Sequence, residues 1–251
     1  MENSIFFVTI DTKNFTPSSI KYVAKVNPFD IMFLGNIDEI ENWEKTLNHL
    51  KKSEFVAVPC KNTSIVKRIS KFKNCIPVFT DIPSKKICEK YIVMLKINKN
   101  TIENIGNITE ICKKMGAVEL LLIRDFNAKL TSKSFKTLYE KIQKYDGYVS
   151  VSECPFFYVS RIIKGGCVAG WGSLHISGNN IFPCFGINIS AGNVKNIENA
   201  FNSEIMKSLR KREKIVGKCR ICEYLKSCGG CRAHGFVKTG NIYQEDEMCW
   251  R

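Results

Sequence analysis

The sequence predicts an α/β protein: a closed or partial (β/α) barrel over residues 1–153, followed over residues 154–251 by a small cysteine-rich domain with a β-hairpin and short helices. Three observations lead there. Short apolar runs alternate with stretches of helical period through the first 150 residues. The composition then turns to Gly, Asn and Ser, and seven of the 12 cysteines fall after residue 166. A chain of 251 residues, 44% hydrophobic and 25% charged, can bury a sizeable core, so the cysteines are not needed to replace one.

The apolar runs are IFFVTI (5–10), DIMFLG (30–35), FVAVP (55–59), IPVFTDI (76–82), YIVMLKI (91–97), VELLLI (118–123) and YVSVS (148–152). Strands apolar on both faces belong to a parallel sheet covered by helices. The covering helices show as apolar residues at helical spacing: Ile108, Ile111, Cys112 and Met115, then Phe135, Leu138, Tyr139 and Ile142. Beyond them GGCVAGWGSLHISGNNIFPCFG reads as strand, turn and strand around LHI, SGNN and IFP. A helix over roughly 196–212 (NIENAFNSEIMKSLRKR) leads into the last cysteines. No tandem repeat is present.

MENSIFFVTI runs at once into charged and turn residues, unlike a secretory signal, and no apolar stretch approaches the roughly 20 residues that span a bilayer. The expectation is a cytoplasmic protein with no membrane association. Clustered cysteines in a reducing compartment are metal ligands or catalytic thiols more often than disulfides. The net charge of +14, with a pI near 9.2, suits nucleic acid, an acidic substrate or an acidic redox partner. Yet the lysines are scattered through amphipathic segments such as WEKTLNHLKK, and the longest basic run, SLRKREK at 208–214, is interrupted by Glu213. A solvated surface is the expectation there. No aromatic-basic interleaving of a base-stacking platform is present, so nucleic acid is not favoured.

Cys219-x-x-Cys222 brings two thiolates to one side of a tight turn, and Cys228-Gly-Gly-Cys231 does so again, its glycines opening backbone conformations closed to other residues. Four such sulfurs suit tetrahedral zinc or an iron-sulfur cluster, and spacing alone does not choose. A zinc ribbon stapling the C-terminal segment is one reading. Cys167 and Cys184 count against it, because they flank the hairpin with no zinc-like partner close in sequence, and Cys249 completes a set of seven. Cys60, Cys75, Cys88 and Cys112 lie on or beside apolar runs and read as buried structural thiols.

The segments GGCxAG, LHI…IFPC, CxxCx5CGGCRA and TGN…EDEMCW resemble the SPASM (twitch-related) auxiliary cluster domain of radical S-adenosylmethionine proteins, most closely of members that modify peptides or tetrapyrroles. The resemblance implies two 4Fe-4S clusters with interleaved ligands: Cys167, Cys184 and Cys231 for one, and Cys219, Cys222, Cys228 and Cys249 for the other. The first set leaves one iron open to substrate, water or another residue; Cys154 is the nearest unassigned thiol, but it precedes Pro155 outside the motif. The family's turn places Gly five residues before the second cysteine, where this chain has Asn179 after Gly178. Asn tolerates left-handed backbone, so the hairpin is expected to survive. His175 and His234 could ligate or hydrogen-bond a cluster, against the competing reading of packing or solvent, and His49 is expected on an exposed helix face. Arg232 and Lys238 could donate hydrogen bonds to cluster sulfurs.

The N-terminal half resembles the same family's barrel: VTIDTKNFTPSSIKYV its first strand and loop, FLGNIDEIENWEKTLNHLKK its strand-GGEP-helix segment, and VMLKINKNTIENIGNITEICKKMGAVELLLI a later strand-helix-strand unit. The fold expected is thus a partial barrel of the radical S-adenosylmethionine type. The family's CxxxCxxC is absent, since its positions hold FTPSSIKY and the next cysteine, Cys60, ends a later strand. The GGEP segment has become Gly35-Asn36-Ile37-Asp38. S-adenosylmethionine is therefore not expected as a cofactor, nor is independent radical activity, and no catalytic residue is identified. Met1 directly before the first expected strand favours loss within an intact fold over truncation. The expected function is an accessory electron-transfer or substrate-docking protein in peptide or cofactor maturation. Its expected partners are an acidic redox protein, a radical S-adenosylmethionine partner enzyme or a peptide substrate. The alternatives are a maturase or oxidoreductase working at the open-site cluster, and a four-cysteine zinc module.

Overall fold

The computed structural model describes residues 5–145, 147–152 and 166–251. Cys154 and the expected domain boundary at 153/154 lie outside the described residues. The strands are β1 (Phe7–Phe15), β2 (Asp30–Leu34), β3 (Phe55–Pro59), β4 (Cys75–Phe79), β5 (Ile92–Ile97), β6 (Glu119–Arg124), β7 (Val149–Val151), β8 (Ser173–Gly178), β9 (Asn180–Phe182) and β10 (Gly192–Asn193). The helices are α1 (Ser19–Lys25), α2 (Trp43–His49), α3 (Val66–Ile69), α4 (Lys99–Met115), α5 (Ser132–Ile142), α6 (Glu204–Arg210) and α7 (Arg232–Thr239). Each of the seven apolar runs became a strand, β1 to β7. The chain divides into two compact units, Met1–Val78 with Val168–Arg210 and Phe79–Cys167 with Lys211–Arg251.

In the first unit the strand order is β10-β9-β8-β1-β2-β3-β4, with β8 through β4 parallel and β9 and β10 antiparallel. Val8, Ile10, Ile31 and Phe33 are buried on the strands, as are Ile20 and Val23 of α1 and Trp43 and Leu47 of α2. Each such side chain contributes about 1.5–3 kcal/mol on full burial. The hairpin forms as expected, pairing His175 with Phe182 and Ser177 with Asn180. Its first strand, β8, runs parallel to β1, so the hairpin extends the sheet of the first unit. The left-handed residue of its turn is Gly178 (φ +61°) and not Asn179, because glycine carries no Cβ to oppose that conformation.

The helix expected over roughly 196–212 is two pieces, a 3-10 stretch at Val194–Asn202 and then α6. Asn196 leaves helical geometry (φ −121°, ψ 41°) and Ser203 is extended, its hydroxyl accepting the Met206 N–H at 3.5 Å. Asn and Ser compete with the helix through their own side-chain hydrogen bonds, which breaks the run while its apolar face stays buried.

In the second unit β5, β6 and β7 are parallel. Helix α4 starts at Asn98, whose side chain accepts the Thr101 N–H at 2.9 Å, and stops at left-handed Gly116 (φ +87°). Thr131 and Ser134 form a capping box for α5. Ile108, Cys112, Phe135, Leu138 and Ile142 are buried as the spacing predicted; Ile111, Met115 and Tyr139 lie half-buried at the margins of the stripes. Among the described residues no helix is long and apolar enough to cross a membrane.

Candidate metal centre

Six of the seven cysteines, Cys167, Cys219, Cys222, Cys228, Cys231 and Cys249, belong to the second unit, and Cys184, just after β9, belongs to the first. A 3-10 turn at Gly217–Ile221 carries Cys219 and ends at Cys222. Cys231 is the N-cap of α7. Between Cys228 and Cys231, Gly229 (φ +69°) and Gly230 (φ +62°) are both left-handed, and the Gly230 N–H points at Cys228 Sγ at 3.4 Å. The glycine pair expected to open the turn does so. Gly166 (φ +69°) approaches Cys228 so closely that a Cβ would collide with its backbone, and the Cys167 N–H donates to Cys228 O at 2.9 Å. Cys167, Tyr224 and Cys231 pack against Cys228.

Burial pushes the Cys228 thiol up to about 12, with the charges of Cys249, Asp246 and Cys219 adding to the effect. Cys219 and Cys249 are raised by burial as well, Cys222 adding to the shift at Cys219 and Cys219 to that at Cys249. Cys219, Cys228 and Cys249 therefore form one electrostatic neighbourhood, which Cys222 joins through Cys219. Three of them also receive a backbone N–H that favours the thiolate: Asp246 donates to Cys219, Gly230 to Cys228 and Arg251 to Cys249. A metal cation can displace the proton of a thiol that burial keeps protonated, and amide N–H donors stabilise the metal-bound thiolate. The donor set thus fits cluster ligation. Among the described residues no group of three or more His, Cys, Asp or Glu is arranged to hold a single metal ion. A cubane cluster takes its thiolates at separate corners, farther apart than the ligands of one ion.

The loops are tied together by Asp246, which is fully buried. Its Oδ2 accepts the Cys231 N–H at 3.1 Å and its Oδ1 the Met248 N–H at 3.2 Å. His234 Nδ1 lies 3.0 Å and Arg124 Nη1 3.6 Å from Oδ1. Burial alone would raise this carboxyl, but Arg124, His234 and the Cys231 N–H hold it down at about 2. Neither residue carries a role in the motifs of the sequence: Asp246 stands between two other acids in EDEM, and Arg124 directly follows the apolar run VELLLI. His234 is thus partnered by a carboxylate. Lys238 pairs with Glu247 at the surface.

The basic run at 208–214 is more than a solvated face. Arg210 donates to Gly170 O (2.7 Å) and Phe201 O (2.8 Å), and Arg212 to Cys167 O (3.0 Å), Leu225 O (3.4 Å) and Lys226 O. A guanidinium has five donors in a fixed fork, so it can satisfy several loop carbonyls at once. His175 Nδ1 lies 2.9 Å from the Thr9 hydroxyl, and burial lowers its pKa. His49 is half-buried and not exposed, since it ends α2 beside buried Leu50. Cys60 and Cys112 are buried as expected. Burial lifts half-buried Cys75 to about 12 and Cys112 to about 11, which makes both inert. Cys88 is only half-buried, because it lies in the irregular segment after β4, and its Sγ donates to Lys90 O at 3.3 Å.

At the other end of the chain, β1 ends at Phe15 and the segment to Tyr22 turns directly into α1 without a cysteine. Cys60 follows β3 and is buried. Gly35 (φ +108°) faces Thr12, whose hydroxyl fills the space a Cβ would take and lies 3.1 Å from Leu34 O and 3.2 Å from Glu39 Oε2. Asn36 Nδ2 donates to Glu39 Oε1 at 3.1 Å, so this loop is closed by its own side chains.

No family model matches the chain. Two curated relatives are enzymes named AdoMet-dependent heme synthase. The chain is 39% identical to that of Methanosarcina barkeri over 90 residues, 34% of this chain and 25% of the enzyme. It is 38% identical to that of Nitratidesulfovibrio vulgaris over 103 residues, 39% of this chain and 28% of the enzyme. The matched stretch is thus about a quarter of the length of these relatives. Among solved structures, Streptococcus suis SuiB bound to S-adenosylmethionine aligns with 99% of this chain and 76% of its own, with a TM-score of 0.76 at 14% identity. SuiB bound to the precursor peptide SuiA gives 0.75 at 15%, over 99% of this chain and 76% of its own. Native anSMEcpe with bound AdoMet gives 0.70 at 13%, over 97% and 94% of the two chains. At 13–15% identity these likenesses show a shared fold, and the expected α/β class stands.

Proposed function

We propose that this radical S-adenosylmethionine-like chain is an iron-sulfur protein carrying two 4Fe-4S clusters, serving as an accessory electron-transfer or substrate-docking component in cofactor or peptide maturation without cleaving S-adenosylmethionine. The observation that carries the reading is the gathering of Cys219, Cys228 and Cys249, with Cys222 beside Cys219, three of the four receiving a backbone N–H. The resemblance assigns a second cluster to Cys167, Cys184 and Cys231. When bound, such clusters supply one-electron chemistry at potentials set by charge, exposure and hydrogen bonding. The chain's own part is to hold the ligand loops: Asp246 accepts the Cys231 N–H, and Arg212 binds the Cys167 carbonyl.

The loss of S-adenosylmethionine cleavage rests on the cysteine-free segment 15–22 and on the closed loop at Gly35–Glu39. The heme synthase relatives, more similar in sequence than the peptide-bound neighbour, favour a tetrapyrrole-type cofactor pathway over a peptide one. The charge of +14 suits an acidic redox partner.

The test is to incubate anaerobically reconstituted protein with S-adenosylmethionine and a strong reductant. Reduced clusters and no 5'-deoxyadenosine are expected. Turnover to 5'-deoxyadenosine would overturn the reading in favour of an active maturase, and bound zinc without sulfide would reduce the cysteine-rich end to a structural zinc module.

A further inference from the structure

Arg232 follows the last residue of the Cys228-Gly-Gly-Cys231 turn, and it is only 3% exposed. Its Nη1 donates to Ile242 O at 3.2 Å and its Nε makes a long contact with Gly230 O at 3.5 Å. Its Nη2 is buried and has no hydrogen-bond partner among the described residues. A buried donor left unmatched costs about 1–3 kcal/mol, more when charged, so a native structure is expected to supply an acceptor. The direction of Nη2 says where. A Cβ placed on Gly230 would stand 2.9 Å from Arg232 Nη2 and 3.1 Å from Cys219 Sγ, so the guanidinium and the sulfur converge over the same glycine. Any side chain at residue 230 would come between them, which is a second reason, besides φ +62°, for glycine there.

Three charged groups share this neighbourhood. The Asp246 carboxylate ties the adjoining loop, with Arg124 and His234 against it. Arg124 Nη1 and His234 Nδ1 both lie against Asp246 Oδ1, at 3.6 and 3.0 Å, whereas the Arg232 guanidinium is turned toward Cys219 Sγ over Gly230.

We infer that Arg232 Nη2 donates a hydrogen bond to the sulfur of Cys219, or to the sulfide beside it, in the cluster-loaded protein, and thereby raises the reduction potential of that one cluster. The inference rests on the proposed cluster at Cys219, Cys222, Cys228 and Cys249. A hydrogen bond and a positive charge at a cluster sulfur stabilise the reduced, more negative state over the oxidised one. Arg232 is a positioning and tuning residue and no ligand.

The experiment is a reductive titration followed by electron paramagnetic resonance, on the full chain and its Arg232→Gln and Arg232→Lys variants, with iron and labile sulfide counted in each. At wild-type iron content, Arg232→Gln should move one cluster to a more negative potential and leave the other unmoved; Arg232→Lys, which keeps the charge, should move it less. Unchanged potentials at full iron would overturn the inference and leave the cluster reading standing, whereas a wild-type protein without iron would overturn both. Should the variants fail to fold, pulsed resonance on wild-type protein labelled with nitrogen-15 only in its arginine guanidinium groups decides. A nitrogen coupling to a reduced cluster is expected, and its absence contradicts the inference.

Discussion

Replacing Asp246 by Asn tests how the cysteine loops are held. The carboxylate is fully buried, 3.6 Å from Arg124 Nη1 and 3.0 Å from His234 Nδ1, and accepts the N–H groups of Cys231 and Met248. Asp246→Asn keeps the shape but removes the charge, and its new amide N–H must face donors. Breaking one side of a buried ion pair costs about 3–5 kcal/mol. At about 2–4 °C per kcal/mol for a chain of this size, thermal unfolding should move down by roughly 6–20 °C. Circular dichroism on anaerobic, iron-loaded protein measures it, with iron counted before the scan. Adding Arg124→Met to Asp246→Asn should recover part of the loss, because no buried guanidinium then lacks its carboxylate. A fall of less than about 3 °C, near 1 kcal/mol on this scale, or a double variant worse than the sum of the two singles, would refute the reasoning.

Other outcomes follow from the same structure. Asp30 is half-buried and its pKa is raised by burial and by Glu54, so the folded state binds its proton more tightly than the unfolded one. Its penalty is absent below the unfolded value of 3.8 and grows as pH rises through the raised folded value, so Asp30→Asn should stabilise the protein at neutral pH and give no advantage at acid pH in matched urea titrations. Cys222→Ala should lower iron from about eight to about four per chain, and Cys75→Ala, at a thiol that burial lifts to about 12, should leave iron unchanged. Gly166→Ala places a Cβ against the Cys228 backbone at φ +69°; with a strain of about 1–3 kcal/mol at that contact, it should reduce bound iron more than Gly192→Ala, which meets nothing within 4 Å.

The strands were legible because seven apolar runs of strand length carry their own signal, and α4 and α5 because their apolar residues keep a helical period over more than two turns. The helix expected over roughly 196–212 is broken for a local reason: its apolar spacing continues across Asn196 and Ser203, whose backbone does not. The attachment of β8 to β1 is a pairing between residues some 165 positions apart, as in the Thr9–His175 contact, and nothing within a hairpin motif announces its neighbour. At the site, the cysteines and the two glycines of the turn could be read from spacing. Asp246 and Arg124 could not, because a buried ion pair 122 positions apart looks in sequence like two surface charges. Arg212 was hidden likewise, a cation in a basic run that turns inward to loop carbonyls.

The central claim is that the cysteine-rich end holds two clusters and the barrel none. Iron and acid-labile sulfide per chain, measured on anaerobically purified protein, test it most directly. The account predicts about eight irons with matching sulfide, four for each cluster. About twelve, by the same count, would place a third cluster where none is proposed, and zinc without sulfide would contradict the account outright.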